Sequence, residues 1–218
     1  MSLAGQTVIT ATILDINTAQ ILWSSTLQMG EIVEIFAKLP DFVKNLTAPV
    51  YKIGDKGPAG GIIFYDKGTY SDGWRYLEAA PAGTDFTAQW GAYNKNVSGI
   101  STDIGTGKQN TQLIVDVLRG TIESGTAAQR CARLNIGGFT DWFLPSRDEL
   151  DLMYKNLKQK GLGGFRATDD KYSLYWSSSQ VPNDSFSISA WSQGFMDGVQ
   201  NNFFLRDSTY SVRAARAF

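Results

Sequence analysis

The sequence predicts an α+β protein: a β-hairpin and a helix, then a larger domain of strands, about three helices and long loops. Three observations carry that reading. Short segments at both ends of the chain alternate apolar residues at the period of a strand. Helical spacing with capping residues dominates residues 110–160. Twelve percent aromatic residues and 22 glycines describe a loop-rich fold tied together by rings, not a helical bundle.

In residues 7–25, Val8, Thr10, Thr12 and Leu14 alternate with Ile9, Ala11 and Ile13 before the turn Asp15-Ile-Asn-Thr-Ala-Gln20 and the strand Ile21-Leu-Trp23. Both faces of this hairpin carry apolar residues, so both are expected to be covered. A helix comes next, with Ile32, Val33, Ile35, Phe36 and Leu39 on one broad face, interrupted or restarted at Pro40 and finished by Phe42, Val43 and Leu46. An isolated hairpin is marginal in water. Residues 1–47 therefore read as the end of a larger domain, or as an arm docked on the domain that begins at Tyr51. The phrase Ile13-Leu-Asp-Ile-Asn-Thr-Ala-Gln-Ile-Leu-Trp23 resembles the strand pair of curli-assembly-type and related envelope lipoproteins.

Ala48-Pro-Val-Tyr51 is a link, and residues 51–218 form the second expected domain. It opens with the glycine-rich Ile53-Gly-Asp-Lys-Gly-Pro-Ala-Gly-Gly61, then the strand Ile62-Ile-Phe-Tyr65, a loop containing Ser71-Asp-Gly73 and the strand Trp74-Arg-Tyr-Leu-Glu78. Residues 81–107 are polar and Gly-rich and carry no clear period. A helix over residues 110–119 has Leu113, Ile114, Val117 and Leu118 as its apolar set. A second opens on the capping box of Thr126 and Gln129 and places Ala127, Cys131 and Leu134 on one face. The third opens on Ser146 and Glu149 behind Pro145; Leu150, Met153, Tyr154 and Leu157 come after at helical spacing, and Gly161 ends it. The remainder is β: residues 175–179, 190–196, a turn at Asp197-Gly198, residues 200–205, and a last strand over residues 210–218.

Composition excludes several functions. The formal net charge of -1, with no local run of Lys or Arg, leaves no electrostatic footprint for nucleic acid. Histidine is absent, which removes the commonest metal ligand and the commonest general base at neutral pH. A single cysteine, Cys131, permits neither an intrachain disulfide nor a Cys-X-X-Cys pair. No apolar run is long enough to span a bilayer, which takes roughly 18 residues. The amino terminus carries no leader and runs straight into a strand, as expected of a chain whose signal segment lies upstream.

The motifs that suggest chemistry mostly resolve into structure. Gly105-Thr-Gly-Lys108 is followed by Gln109, where a phosphate loop needs Ser or Thr for magnesium. The glycines at 54–61 precede a strand instead of joining a strand to a helix, against the dinucleotide pattern. Asp141, Asp148, Glu149 and Asp151 cluster in sequence, but Glu149 fits its capping box and Asp148 the positive end of a helix. Cys131 reads as a core thiol. Most of the six tryptophans belong in the core, with Trp90 or Trp191 the candidates for stacking on a sugar. Between residues 180 and 209, short polar side chains are interleaved with Trp and Phe, a composition shared by recognition surfaces and by ordinary solvent-facing hairpins.

Gly60-Gly-Ile-Ile-Phe-Tyr65, Gly73-Trp-Arg-Tyr-Leu-Glu-Ala-Ala-Pro81, Ile104-Gly-Thr-Gly-Lys-Gln-Asn-Thr111, Gly138-Phe-Thr-Asp-Trp-Phe-Leu-Pro-Ser-Arg-Asp-Glu-Leu150, Tyr175-Trp-Ser-Ser-Ser179 and Tyr210-Ser-Val-Arg-Ala-Ala-Arg-Ala-Phe218 stand in the order of the Lcl C-terminal domain family, which this chain resembles over residues 51–218. That family closes bacterial collagen-like adhesins and many envelope lipoproteins. It is similar in turn to the C-type lectin-like fold of formylglycine-generating enzymes and of retroelement variable proteins. The resemblance implies a small twisted antiparallel sheet with two or so helices, holding an irregular ligand surface around residues 191–206. Val181-Pro-Asn183 and Trp191-Ser-Gln193 lack the carboxylate and amide residues of calcium-dependent lectins, which counts against a calcium site. One cysteine puts the paired-cysteine copper chemistry of formylglycine-generating enzymes out of reach. No cofactor or metal is expected.

The function expected is a non-enzymatic ligand-binding or adhesion module of a bacterial cell-envelope lipoprotein. Its partner would be an extracellular glycan or protein, met by Trp191, Gln193, Asn183, Asp184, Asn201, Asn202 and Arg206. Two alternatives stand beside it: a retroelement-diversified display protein varying over residues 176–206, and a carboxylate-based hydrolase needing two of Asp141, Asp148, Asp184 and Asp197 face to face.

Overall fold

A computed structural model of the chain describes residues 9–15, 20–27, 39–40, 43, 47–168, 173–182 and 188–218. The chain divides into two compact units, one of residues 1–49 and 70–73, the other of residues 50–69 and 74–218. In the first, β1 (Ile9–Asp15) pairs antiparallel with β2 (Gln20–Leu27), from Ile9 opposite Leu27 to Asp15 opposite Gln20. The expected helix lies largely outside the described residues; Leu39, Pro40, Val43 and Thr47 are helical.

The second unit is α+β, with three helices among the described residues and two small, mostly antiparallel sheets. The first sheet contains β3 (Ile62–Ser71), β4 (Trp74–Ala79) and β10 (Ala215–Ala217) in the order β10-β4-β3. Asp72 and Gly73, at φ 53 and 83, make the two-residue turn joining β3 to β4; Asp-Gly suits it because both positions are left-handed. The second sheet contains β5 (Phe86–Gln89), β6 (Leu174–Gln180), β7 (Ser189–Gly194), β8 (Gln200–Leu205) and β9 (Thr209–Val212) in the order β5-β9-β6-β7-β8. Its β6–β9 contact, Tyr175 opposite Ser211, is parallel, and its other pairings are antiparallel. The helices are α1 (Gly107–Leu118), α2 (Ala127–Cys131) and α3 (Arg147–Asn156).

Five expectations need correction. The unassigned stretch 81–107 contains β5, whose four residues are too few to show a period. The second helix stops at Cys131, so Leu134 is not on it; after Ala132 the chain turns through Arg133 N–H to Arg130 O and Leu134 N–H to Cys131 O, each at 3.1 Å. The Asp197-Gly198 turn belongs to a longer loop, closed by Gly198 N–H donating to Gly194 O at 2.8 Å and Gly194 N–H to Val199 O at 2.9 Å. Phe195, counted as strand, leaves it because its ring is wholly buried against Phe165, Tyr154 and Tyr175.

The fifth concerns the last strand, which breaks at Arg213 and Ala214 and changes sheets. Arg213 is 1 % exposed and pairs with Asp85, while its Nη1 donates to Ala80 O at 3.1 Å and Gly163 O at 2.8 Å. Asp85 in turn accepts the Tyr175 hydroxyl at 2.6 Å. Pairing that guanidinium with Asp85 and two carbonyls takes the chain off β9, and Ala80 N–H then meets Ala214 O at 2.9 Å at the entry to β10.

Two buried clusters fill the unit. One gathers Trp90, Trp142, Trp176, Ile114, Leu118, Leu144 and Val212 with Cys131. The other gathers Phe64, Leu77, Phe143, Leu150, Met153, Leu157, Tyr175 and Phe195. Each tryptophan of the first cluster satisfies its one donor on a main-chain carbonyl: Trp90 on Ser177, Trp142 on Phe139 and Trp176 on Ala88.

A second buried ion network closes the sheet of β10, β4 and β3. Glu78 is fully buried and accepts N–H bonds from Ala59 at 3.2 Å and Gly61 at 2.7 Å, with Arg216 Nη1 at 3.3 Å. Arg216 also binds Asp141 through two parallel bonds of 2.9 and 3.1 Å, its guanidinium lying 3.9 Å from the Phe139 ring centre. The glycine-rich lead is thus a cradle for a carboxylate. A Cβ at Gly57 would strike the Glu78 carboxylate and one at Gly61 the Ala79 carbonyl, so both positions require glycine. Removing one partner of a buried pair strands the other charge. Arg216→Met is expected to lower the unfolding free energy by about 3–5 kcal/mol, measured by denaturant titration, whereas Arg119→Met, at an exposed i,i+3 pair with Asp116, should leave it within about 0.5 kcal/mol.

Candidate functional site

β7 and β8 form the outer part of the five-stranded sheet. Along β7, Ala190 and Ser192 turn to the buried cluster around Trp176, and by strand alternation Trp191 and Gln193 turn to the opposite side, where α3 lies. Two residues of β8, Asn202 and Phe203, stand opposite Trp191 alone: Ala190 pairs with Phe204 and Ser192 with Asn201, a β-bulge.

The capping box at the start of α3 brings Arg147 to this side. Ser146 Oγ accepts Glu149 N–H at 3.2 Å, Glu149 accepts Ser146 N–H at 2.8 Å, and Arg147 N–H donates to Ser179 Oγ at 3.1 Å. The Arg147 guanidinium then lies 5.1 Å from the centre of the Trp191 ring and pairs with Asp148 at 2.7 Å. Gln200 Nε2 reaches Arg147 O at 3.4 Å.

The seven residues chosen from sequence separate in this frame. Trp191 is half-buried; Arg147 covers its ring, and its indole N–H is buried without a partner among the described residues. Asn201 is half-buried, its amide donating to Val199 O at 3.2 Å, and Asn202 is exposed in the bulge. Gln193 is 1 % exposed and spans inward, Nε2 donating to Asp151 Oδ1 at 2.9 Å and Gly198 O at 3.1 Å, while Oε1 has no partner among the described residues. Arg206 is fully buried: its guanidinium donates to the carbonyls of Ser189, Ala92 and Lys95 and to Gln180 Oε1, beneath the Trp90 ring at 4.5 Å. A side chain so engaged is a staple between β8, β7 and the loop after β5, and is not displayed. Trp90, the other tryptophan considered for a sugar, is fully buried in the same contact. Asn183 and Asp184 lie outside the described residues.

What the sequence reading passed over is apolar. Met196, Val199, Phe203 and Leu205, 58, 51, 64 and 39 % exposed, line the β7–β8 loop and β8. The signal was present as an edge-like strand, Gln200-Asn-Asn-Phe-Phe-Leu205, with no charge in it. Attention to the polar residues of the same run hid it.

Of the carboxylates considered for hydrolysis, the three among the described residues are engaged structurally, and Asp184 lies outside them. Asp141 holds Arg216, Asp148 holds Arg147, and Asp197 accepts Val199 N–H at 3.0 Å within its own loop. Cys131 is buried, which pushes its thiol well above the usual range. Among the described residues no three His, Cys, Asp or Glu side chains gather as metal ligands, and no helix is long and apolar enough to cross a membrane.

Glu149 does more than cap its helix. Its Oε1 also accepts Gly105 N–H at 2.8 Å and Gly107 N–H at 3.4 Å, tying the start of α1 to the start of α3. Burial lifts its pKa from 4.5 to about 7, opposed by those main-chain donors. With the folded value above the unfolded one, this group's contribution to stability is complete below pH 4.5 and is lost as pH rises through about 7. The thermal midpoint is accordingly expected to fall between about pH 5 and 8, and Glu149→Gln to flatten that slope, as scanning calorimetry at several pH values would record.

No family model matches the chain, and no curated protein matches it. Among solved structures it is similar to a fimbrial protein from Bacteroides ovatus ATCC 8483, at 15% identity and a TM-score of 0.43, the similarity covering 82% of this chain and 41% of that one. The chain thus spans less than half the length of that protein, and a similarity of this depth identifies neither a family nor a function.

Proposed function

We propose that this chain is a non-enzymatic ligand-binding or adhesion module of a bacterial cell-envelope protein, with residues 51–218 an Lcl C-terminal, C-type lectin-like domain. The observation that carries the reading is the exposed strip along β8 and the β7–β8 loop, where Met196, Val199, Phe203 and Leu205 border Asn201, Asn202 and the Arg147–Trp191 pair. Scattered exposed apolar residues are ordinary on a protein surface, whereas several together along a strand and the loop leading into it mark an interaction site. The family resemblance supports the same region, since its motifs supply the scaffold and leave residues 191–206 to face a ligand. The envelope address, as a lipoprotein whose signal segment lies upstream, rests on that resemblance. The ligand is an extracellular protein or glycan.

The titratable groups near the strip support binding over catalysis. Arg147, Asp148 and Asp151 are held in pairs with Asp148, Arg147 and Lys155, and Asp197 closes a loop. A general acid or base needs a proton-transfer path to a bound substrate, and these carboxylates are occupied by fixed cations or amides.

Glycan and extracellular-protein arrays probed with the intact chain test the proposal. A partner is expected whose signal falls about tenfold or more with Phe203→Ala or Asn202→Ala, as hot-spot truncation does. Both substitutions fall on exposed side chains, so circular dichroism should be unchanged. Arrays that yield no partner, or one indifferent to these substitutions, would rule the strip out.

A further inference from the structure

We infer that the outer edge of β8 receives an extended polypeptide strand from a partner protein, apolar at alternate positions and basic at its flanks. This rests on the binding reading above and narrows its ligand to a peptide segment.

The five-stranded sheet has two edges, β5 and β8, and they are built differently. A sheet edge presents main-chain N–H and C=O groups that can pair with another chain, and natural proteins blunt it by shortness, charge, proline or cover. The β5 edge is blunted: it has four residues, Arg130 Nη1 donates to the Thr87 carbonyl at 2.7 Å, and the Arg130 guanidinium covers the Phe86 ring at 3.9 Å. β8 is longer, at six residues, and Gln200–Leu205 contains no charge and no proline. Among the described residues no strand pairs with its outer side. The bulge opposite Trp191 adds twist, but Gln200, Asn201, Phe204 and Leu205 keep their register with β7 on either side of it.

Side chains and charge select the occupant. An added strand gains affinity from main-chain bonds and specificity from alternate side chains meeting their neighbours. Phe203 and Leu205 stand two apart on β8 and are both exposed, which suits apolar residues spaced by two on the incoming segment. Exposed Asp197 and Asp207 bracket the strand, and the one cation within the bracket, Arg206, is fully buried on carbonyls. A second copy pairing antiparallel through β8 would bring acidic ends together, which is unfavourable. A segment with Lys or Arg at its ends would meet opposite charges.

The test is selection of random dodecapeptides displayed on phage against the intact chain, followed by affinity and hydrogen-exchange measurements with the synthetic peptides selected. Alternating apolar peptides with basic ends should be enriched. Their binding should slow exchange at the β8 amides, and N-methylation of alternate peptide bonds should abolish it. Phe203→Lys with Leu205→Lys is expected to weaken binding about tenfold or more, and Asp197→Asn with Asp207→Asn by a few-fold in a salt-dependent way. Asn at 197 keeps an acceptor for Val199 N–H, and circular dichroism confirms folding of each variant. The inference is overturned if selected peptides lack that pattern, if protection maps away from β8, or if sedimentation shows the chain self-associating through β8. A glycan or protein bound in the arrays and lost with Asn202→Ala, but untouched by the double lysine variant, would leave the broader reading standing while removing this one. Failure of arrays and selection together would remove both.

Discussion

The buried guanidinium of Arg216 is the constraint on which the three-stranded sheet depends. It is 4 % exposed and stands between two carboxylates, Glu78 on β4 and Asp141 in the loop before α3. A cation in such a place is tolerable only when hydrogen bonds replace its water, and it gets them from both sides. Glu78 must then be satisfied too, and the main-chain N–H groups of Ala59 and Gly61 do so. One arginine therefore fixes the course of the glycine-rich lead, the pairing of the last strand and the loop carrying Trp142, whose ring joins the main buried cluster. The same logic recurs at Arg213 with Asp85 and at Arg206 with four main-chain and amide oxygens. Three buried arginines near the carboxyl terminus thus bind segments distant in sequence.

Because the loops are held from within, the five-stranded sheet can leave one edge open. Trp90 and Arg206 bind the loop after β5 to β8 and β7, while Glu149 and the serines of β6 anchor the start of α3 beside Trp191. The exposed strip along β8 is thus backed by fixed elements on its inner side. Rigid support lowers the ordering cost of binding, and a preorganised strand edge adds directional hydrogen bonding to apolar contact.

Much of the α+β organisation was legible in the sequence. Local signals with local causes were read correctly: the capping box of Ser146 and Glu149, the loop at Ser71-Asp-Gly73, the helix over Leu113 to Leu118 and the strand over residues 175–179 are all present. The site was less legible. Trp191, Asn201 and Asn202 lie on strands expected at those positions, whereas Arg206 and Gln193 were read as displayed and are buried. A polar residue in a polar run gives no local sign of which way it points, since the carbonyls that receive Arg206 lie more than a hundred residues away at Ala92 and Lys95.

Periodicity, caps and glycine turns by themselves determined most element types and the expectation of a loop-rich α+β domain, because each depends on residues within a few positions of one another. Only the tertiary structure decided that the last strand splits between two sheets, that Gly57 and Gly61 surround a carboxylate, and that β8 is an edge with Phe203 and Leu205 exposed. Those outcomes turn on burying a charge with its distant partners and on which strand lies last in the sheet. Neither quantity is written in the spacing of neighbouring residues.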